Sequence, residues 1–305
     1  MDQNNYPTNV KLVEVGPRDG LQNEKITLSV KDKVAFIDAL SNTGIKHIEA
    51  GSFVSPRWVP QMANSQEVFT SINKHIDLTY SALVPNLIGA QAAVDANVNE
   101  IAIFSAASET FSKKNTNCSI DESIAKFVPV LTLAKLHNIP VRGYVSCAFG
   151  CPYEGKVDPS LVLSLSENML AMGCYEISLG DTIGVGTPKS VYRLLATVLS
   201  RVEKSKIALH MHDTYGQALA NVLIGLQEGL TTFDAAVAGL GGCPYAKGSS
   251  GNLATEDLVY MLQHMGINTG IDLHVLTTIG DKICKTLNRK NQSKAANTLL
   301  NLKRT

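Results

Sequence analysis

The chain lacks most of the features that would tie it to a charged or apolar partner. Its 305 residues carry 27 basic and 27 acidic side chains, so the formal net charge is zero. Without a basic excess there is no surface for sequence-independent nucleic-acid binding, which depends on cations that neutralise phosphates. No window approaches the roughly 20 consecutive apolar residues that cross a bilayer, so no membrane partner is expected. Residues 1–9 are short and polar, with neither a basic–apolar signal pattern nor an Arg-rich transit pattern. Cysteine is sparse, at positions 118, 147, 151, 174, 243 and 284, and forms no stapled framework. That usage fits a reducing cytoplasm. Cys147 and Cys151 lack the two-residue gap of a redox motif and read as structural. No Pro/Ser-rich linker or charge run divides the chain, which predicts a single domain over 1–305 with its core at about 10–290.

What is present is a repeating unit. Short apolar runs at 10–16, 45–51, 78–84, 100–105, 141–147, 175–180, 207–211 and 233–239 predict eight strands. Amphipathic segments lie between them at 30–43, 86–96, 119–137, 159–172, 188–203 and 217–228. In the first, Val34, Ile37 and Leu40 recur at helical spacing. Near-continuous apolar strands are those covered on both faces, and eight of them alternating with helices predict a (β/α)8 TIM barrel. An open doubly wound sheet is the alternative, but no Gly-rich phosphate turn follows the first strand. Residues 272–288 read as an extra C-terminal helix, and the last residues as frayed.

The unusual residues gather where these strands end, the rim on which barrel active sites are built. The first strand runs into Gly16-Pro17-Arg18-Asp19-Gly20, and the second carries Glu49. The sixth ends in Gly180-Asp181-Thr182, and the seventh gives His210-Met211-His212-Asp213. His210 and His212 alternate onto one face of their strand. Two imidazoles side by side chelate a metal; in the blander reading one packs and the other hydrogen-bonds. Asp19 and Asn252, from the adjoining first and eighth strands, complete a set of two nitrogens and two oxygens. Such a set suits a divalent ion, with Mg²⁺ or Mn²⁺ expected and Zn²⁺ or Co²⁺ as alternatives. Arg18 reads either as a surface ion pair or as the cation that steadies a developing enolate. Glu49 and Asp181 read as partners of Arg18 or as groups for acid–base work and ligand orientation.

The run Gly239-Leu240-Gly241-Gly242-Cys243-Pro244-Tyr245-Ala246-Lys247-Gly248-Ser249-Ser250-Gly251-Asn252 follows the last strand. Five glycines around one thiol predict a mobile catalytic flap rather than a plain turn over a buried cysteine.

Several longer blocks add a resemblance. Gly16 through Glu24, the run Ser52-Phe53-Val54-Ser55-Pro56-Arg57-Trp58-Val59-Pro60-Gln61-Met62, the runs from Gly180 to Pro188 and His210 to Ala218, and the cysteine loop through Asp257 resemble 3-hydroxy-3-methylglutaryl-CoA lyases. The resemblance implies a metal-dependent barrel lyase that cleaves its acyl-CoA substrate to acetyl-CoA and acetoacetate, acting as a homodimer. It implies Asp19, His210, His212 and Asn252 as metal ligands, Arg18 on the enolate and Cys243 as the loop acid–base thiol. Glu49 and Asp181 would be supporting carboxylates, and His210 a second proton carrier. Lys25, Arg57 and Lys247 are rim cations, read as solvated charge. Gly51 stands where many relatives carry threonine and Arg57 where lysine is common, two changes expected at the pocket wall. A lyase for longer 3-hydroxy-3-alkylglutaryl-CoA substrates, such as the isohexenyl compound, matches equally well. A condensing synthase of the isopropylmalate or homocitrate type shares the Arg-Asp and His-x-His patterns but lacks the loop cysteine. A barrel kept only as a binding scaffold would not need every one of these positions filled.

Overall fold

Eight parallel strands close on themselves in sequence order, each hydrogen-bonded to the next and the first to the last. The computed structural model describes residues 6–242 and 251–302. The strands are β1 Lys11–Glu14, β2 His47–Ser52, β3 Thr79–Leu83, β4 Glu100–Ala106, β5 Val141–Ser146, β6 Glu176–Asp181, β7 Ile207–Met211 and β8 Thr232–Ala235. The helices in the ring are α1 Val30–Ser41, α2 Ser65–Ser71, α3 Leu87–Asp95, α4 Glu109–Thr116, α5 Ile120–Leu136, α6 Pro159–Met172, α7 Pro188–Val198 and α8 Ala218–Gln227. Three more follow, α9 Thr255–His264, α10 Leu273–Thr286 and α11 Lys294–Leu302. The TIM-barrel expectation holds. Among the described residues no helix is long and apolar enough to cross a membrane.

Local chemistry sets the helix boundaries. Ser29 caps α1, Asp158 caps α6 ahead of Pro159, and Ser119 with Glu122 forms a capping box on α5. Each satisfies backbone N–H groups that have no partner inside the helix. Gly173 closes α6 with φ 118°, a left-handed turn that costs glycine little.

Two strands stop two or more residues earlier than their apolar runs suggested. β1 ends at Glu14 because Gly16–Gly20 coils into a π-type turn. β8 ends at Ala235 because Val237–Gly239 forms a 3-10 turn. Helices α2, α4, α9 and α11 were not expected. The last of these is anchored by the Asp257 carboxylate, which accepts from the Ser293 hydroxyl and the Ala295 N–H, both at 2.7 Å; the residues after Leu302, read as frayed, lie outside the described residues.

The main apolar core lies between strands and helices, from Val10 to Leu287. The lumen is different. Lys11, Glu49, Arg142, Tyr144, Glu176, Ser178, His210 and Asp234 bond to one another there, with a small apolar cluster of Leu83, Ala102 and Tyr144 beside them. Ile177, Leu179 and Leu209 on the same strands face outward into the main core. Strand alternation therefore separates an apolar shell from a polar, hydrogen-bonded interior.

Candidate metal centre and active site

The turn after β1 delivers Arg18 and Asp19 to the carboxyl-terminal rim. Arg18 is buried and donates from Nε to Glu49 Oε2 at 2.6 Å and from Nη1 to Asp19 Oδ1 at 2.6 Å. Its Cζ lies 5.4 Å from the Tyr144 ring centroid, within cation–π range. Burial alone would pull the guanidinium towards neutrality, but Glu49 and Asp19 outweigh it and keep Arg18 charged. Of the two supporting carboxylates, Glu49 is therefore Arg18's partner. Asp181 is not: its Oδ1 and Oδ2 accept from the Val185 and Gly186 N–H groups at 3.0 and 2.8 Å. It shapes the loop after β6, and burial lifts its pKa to about 6.

His210 and His212 project from β7 with their Nε2 atoms 3.3 Å apart. Asp19 Oδ2 sits 3.8 Å from the first and 3.9 Å from the second. The three side chains offer ligand atoms that all lie within 4.8 Å of one another. Burial and the neighbouring His210 lower the His212 pKa to about 4, leaving a neutral imidazole able to give its lone pair. Burial pushes the Asp19 carboxyl up, but Arg18, His210 and His212 outweigh it and hold the group well below the usual range. One anionic oxygen and two imidazole nitrogens converging on a point make a donor set that fits a divalent ion.

Asn252 reaches the same place from the other side of the cysteine loop. Its Nδ2 donates to Asp19 Oδ2 at 2.8 Å and to the Leu240 carbonyl at 3.1 Å. In this arrangement it steadies Asp19, and presenting Oδ1 to an ion requires the amide to turn over. The two feet of the loop touch: a Cβ on Gly251 would stand 2.5 Å from the Gly241 carbonyl carbon, and both residues have positive φ. Glycine is needed at each for that close approach. Cys243 and Lys247 lie outside the described residues, while Lys25 and Arg57 are exposed. Gly51 is not a pocket-wall position. β2 shifts register between Glu49 and Gly51, so a side chain at 51 would meet Ser65 and Phe69 on α2.

Sequence reasoning missed Asp234, Arg142 and Tyr144. Asp234 Oδ2 lies 3.2 Å from His210 Nδ1, on the side of the ring away from Asp19. Arg142 grips Asp234, and Tyr144 packs edge-on to the His210 ring with centroids 6.0 Å apart. The available signal was a charged residue at an alternating position inside an otherwise apolar strand.

Two imidazoles, a carboxylate and a charged, buried arginine converge on the carboxyl rim, where barrel enzymes build their active sites, and three of them form a donor set that could hold a divalent ion. The HMGL-like family model matches residues 9–283, and the chain belongs to that family. It is 55% identical over 296 residues to the 3-hydroxy-3-isohexenylglutaryl-CoA/hydroxy-methylglutaryl-CoA lyase of Pseudomonas aeruginosa, covering 97% of this chain and 99% of that one. It is 58% identical over 290 residues to the cytoplasmic 3-hydroxy-3-methylglutaryl-CoA lyase of Rattus norvegicus, covering 95% and 84% respectively. A crystal structure of hydroxymethylglutaryl-CoA lyase from Pseudomonas aeruginosa superposes with a TM-score of 0.95 at 55% identity, over 97% of this chain and 99% of that one.

Proposed function

We infer that the chain is a carbon–carbon lyase that cleaves 3-hydroxy-3-methylglutaryl-CoA to acetyl-CoA and acetoacetate. The observation that carries the reading is the convergence of Asp19, His210 and His212 beside a charged Arg18, in a chain so similar to lyases along its whole length. Asp19, His210, His212 and Asn252 are the proposed ligands. A divalent ion held there, proposed as Mg²⁺ or Mn²⁺, would supply Lewis acidity that makes the substrate's 3-hydroxyl easier to deprotonate.

A base must take the 3-hydroxyl proton as its carbon becomes the ketone of acetoacetate, and the chain's own groups account for the charge and the proton at the other carbon. When the bond between C2 and C3 breaks, its electron pair passes to the carbon next to the thioester, and negative charge appears on the thioester oxygen. Arg18 offers five N–H donors, of which Glu49 and Asp19 take two. The others remain for that oxygen. Because both carboxylates already hold the guanidinium, it needs no reorganisation as the charge forms. Cys243 is the proposed proton carrier to the enolate carbon, since thiols, ordinarily of pKa about 8.5, are a side-chain class that surroundings can tune for proton transfer. Glu49 and Asp181 act as supporting carboxylates, the first by holding Arg18. His210 serves as a proton carrier only when it is off the ion. A homodimer and a cytoplasmic location complete the reading, the latter in line with the rat relative's name.

A second reading has a specific observation behind it: the Pseudomonas aeruginosa relative is named for the isohexenyl substrate as well. Chelator-treated protein, supplied with each acyl-CoA with and without Mg²⁺ or Mn²⁺, separates the two. Equal, metal-dependent release of acetyl-CoA and acetoacetate from the methyl substrate supports the first reading. Cleavage of the longer substrate alone supports the second, and cleavage of neither overturns both.

A further inference from the structure

We infer that Asp234 is the positioning residue for His210, fixing the ring so that Nε2 faces the ion; this rests on the ligand set proposed above. The β7–β8 register pairs His210 directly with Asp234, and both side chains enter the lumen. Asp234 Oδ2 lies 3.2 Å from His210 Nδ1. The same carboxylate receives the Arg142 fork, Nη2 to Oδ1 at 2.8 Å and Nη1 to Oδ2 at 3.1 Å, and the Ser178 hydroxyl at 2.8 Å. An arginine fork and a hydroxyl donating to one carboxyl leave it an anionic acceptor. The Nδ1 atom of His210 must then carry the ring proton, which leaves the Nε2 lone pair facing His212 Nε2 and Asp19.

Asp234 is itself immobile. Arg142 is held at Nε by Glu176 Oε1 at 2.7 Å and touches the Tyr144 hydroxyl at 3.0 Å, and the Asp234 side chain has no solvent exposure. It therefore sits beneath the ligands, on the far side of His210 from Asp19. Its effect passes through one imidazole.

The test is Mn²⁺ binding by the full chain, followed by electron paramagnetic resonance and calorimetry without substrate. Asp234→Asn should weaken Mn²⁺ binding by about 10- to 100-fold, the usual cost of losing a carboxylate behind a ligating histidine. Glu176→Gln is the control, because it removes the other partner of Arg142 without touching His210. It should lower the melting temperature and leave the Mn²⁺ affinity within about twofold of wild type. Equal Mn²⁺ affinity in folded Asp234→Asn and wild type would overturn the inference. So would an equal loss in Glu176→Gln, which would point to general loosening of the barrel. Should Asp234→Asn not fold, Ser178→Ala removes a single hydrogen bond from Oδ2, and a several-fold loss is expected; no loss there overturns the inference. Wild type that binds no Mn²⁺ overturns the ligand set itself, a result distinct from a change seen only in the variants.

Discussion

The Nε2 atoms of His210 and His212 face each other at 3.3 Å, closer than two N–H groups can approach. At least one must present a lone pair, and Asp19 Oδ2 lies under 4 Å from both. Alternation along β7 brings the two rings to one face, and the turn after β1 supplies the carboxylate opposite them.

His212→Ala removes one corner of that triangle. Metal content by elemental analysis should fall to near background, with the barrel's circular dichroism spectrum retained. Because burial and His210 keep His212 neutral, its loss strands no charge. Metal content equal to wild type would remove His212 from the ligand set.

Arg18→Gln should cost about 10²- to 10³-fold in kcat, the range seen when a donor to a developing oxyanion is removed. It also leaves Glu49 buried without its cation, and breaking a buried pair costs about 3–5 kcal/mol. The double variant Arg18→Gln/Glu49→Gln separates the two effects. Stability should largely return, because Glu49 is no longer a buried charge without its cation, while kcat stays low. Recovery of activity in the double variant would mean that Arg18 serves only to hold Glu49.

Much of this architecture was legible because parallel barrel strands are buried on their outer face and announce themselves as apolar runs. The two strand ends that were missed have one cause: Val15 and Val237 continue the apolar pattern while the backbone turns into Gly16–Gly20 and Val237–Gly239. Periodicity reports burial, not hydrogen-bond pattern. Arg18, Asp19, Asp181, His210 and His212 could be picked out because each is a charged or imidazole group at or just past a strand end. Asp234 stands out only as a charge within a strand, because its role depends on lying beside His210 across the β7–β8 register, a relationship that sequence spacing does not encode. Gly51 was misplaced for a related reason: a register shift in β2 reverses the facing that simple alternation assigns.

Cys243→Ala should leave folding and metal content unchanged and lower kcat by about 10²- to 10⁴-fold, the contribution of a positioned acid–base group. Cys243→Ser should be similarly impaired, because a hydroxyl cannot titrate near neutrality. A role for Cys243 in packing rather than chemistry would appear as a change in melting temperature instead. Near-wild-type activity in either variant would exclude the proton-carrier role.

Beneath the loop's base, two buried carboxyls hold the turn that follows β8. Glu14 Oε1 accepts from the Val237 and Gly16 N–H groups at 2.9 and 2.8 Å, and Glu256 Oε2 accepts from the Ala238 N–H at 2.7 Å. Burial raises Glu14 to about 7 and Glu256 to about 8, from 4.5 in the free side chain. At these two sites the folded state therefore binds more protons than the unfolded chain, from pH 4.5 to about 7 at Glu14 and to about 8 at Glu256. Their contribution to stability must then fall as pH rises through that window and level off above it, by at most about 1.4 kcal/mol per pH unit for each proton. Glu256→Gln removes the larger shift while keeping an acceptor for Ala238. Urea midpoints measured from pH 6 to 8.5 should decline more steeply in wild type than in Glu256→Gln. Parallel slopes would mean that Glu256 is already ionised at pH 6, with a cation or water reaching its Oε1.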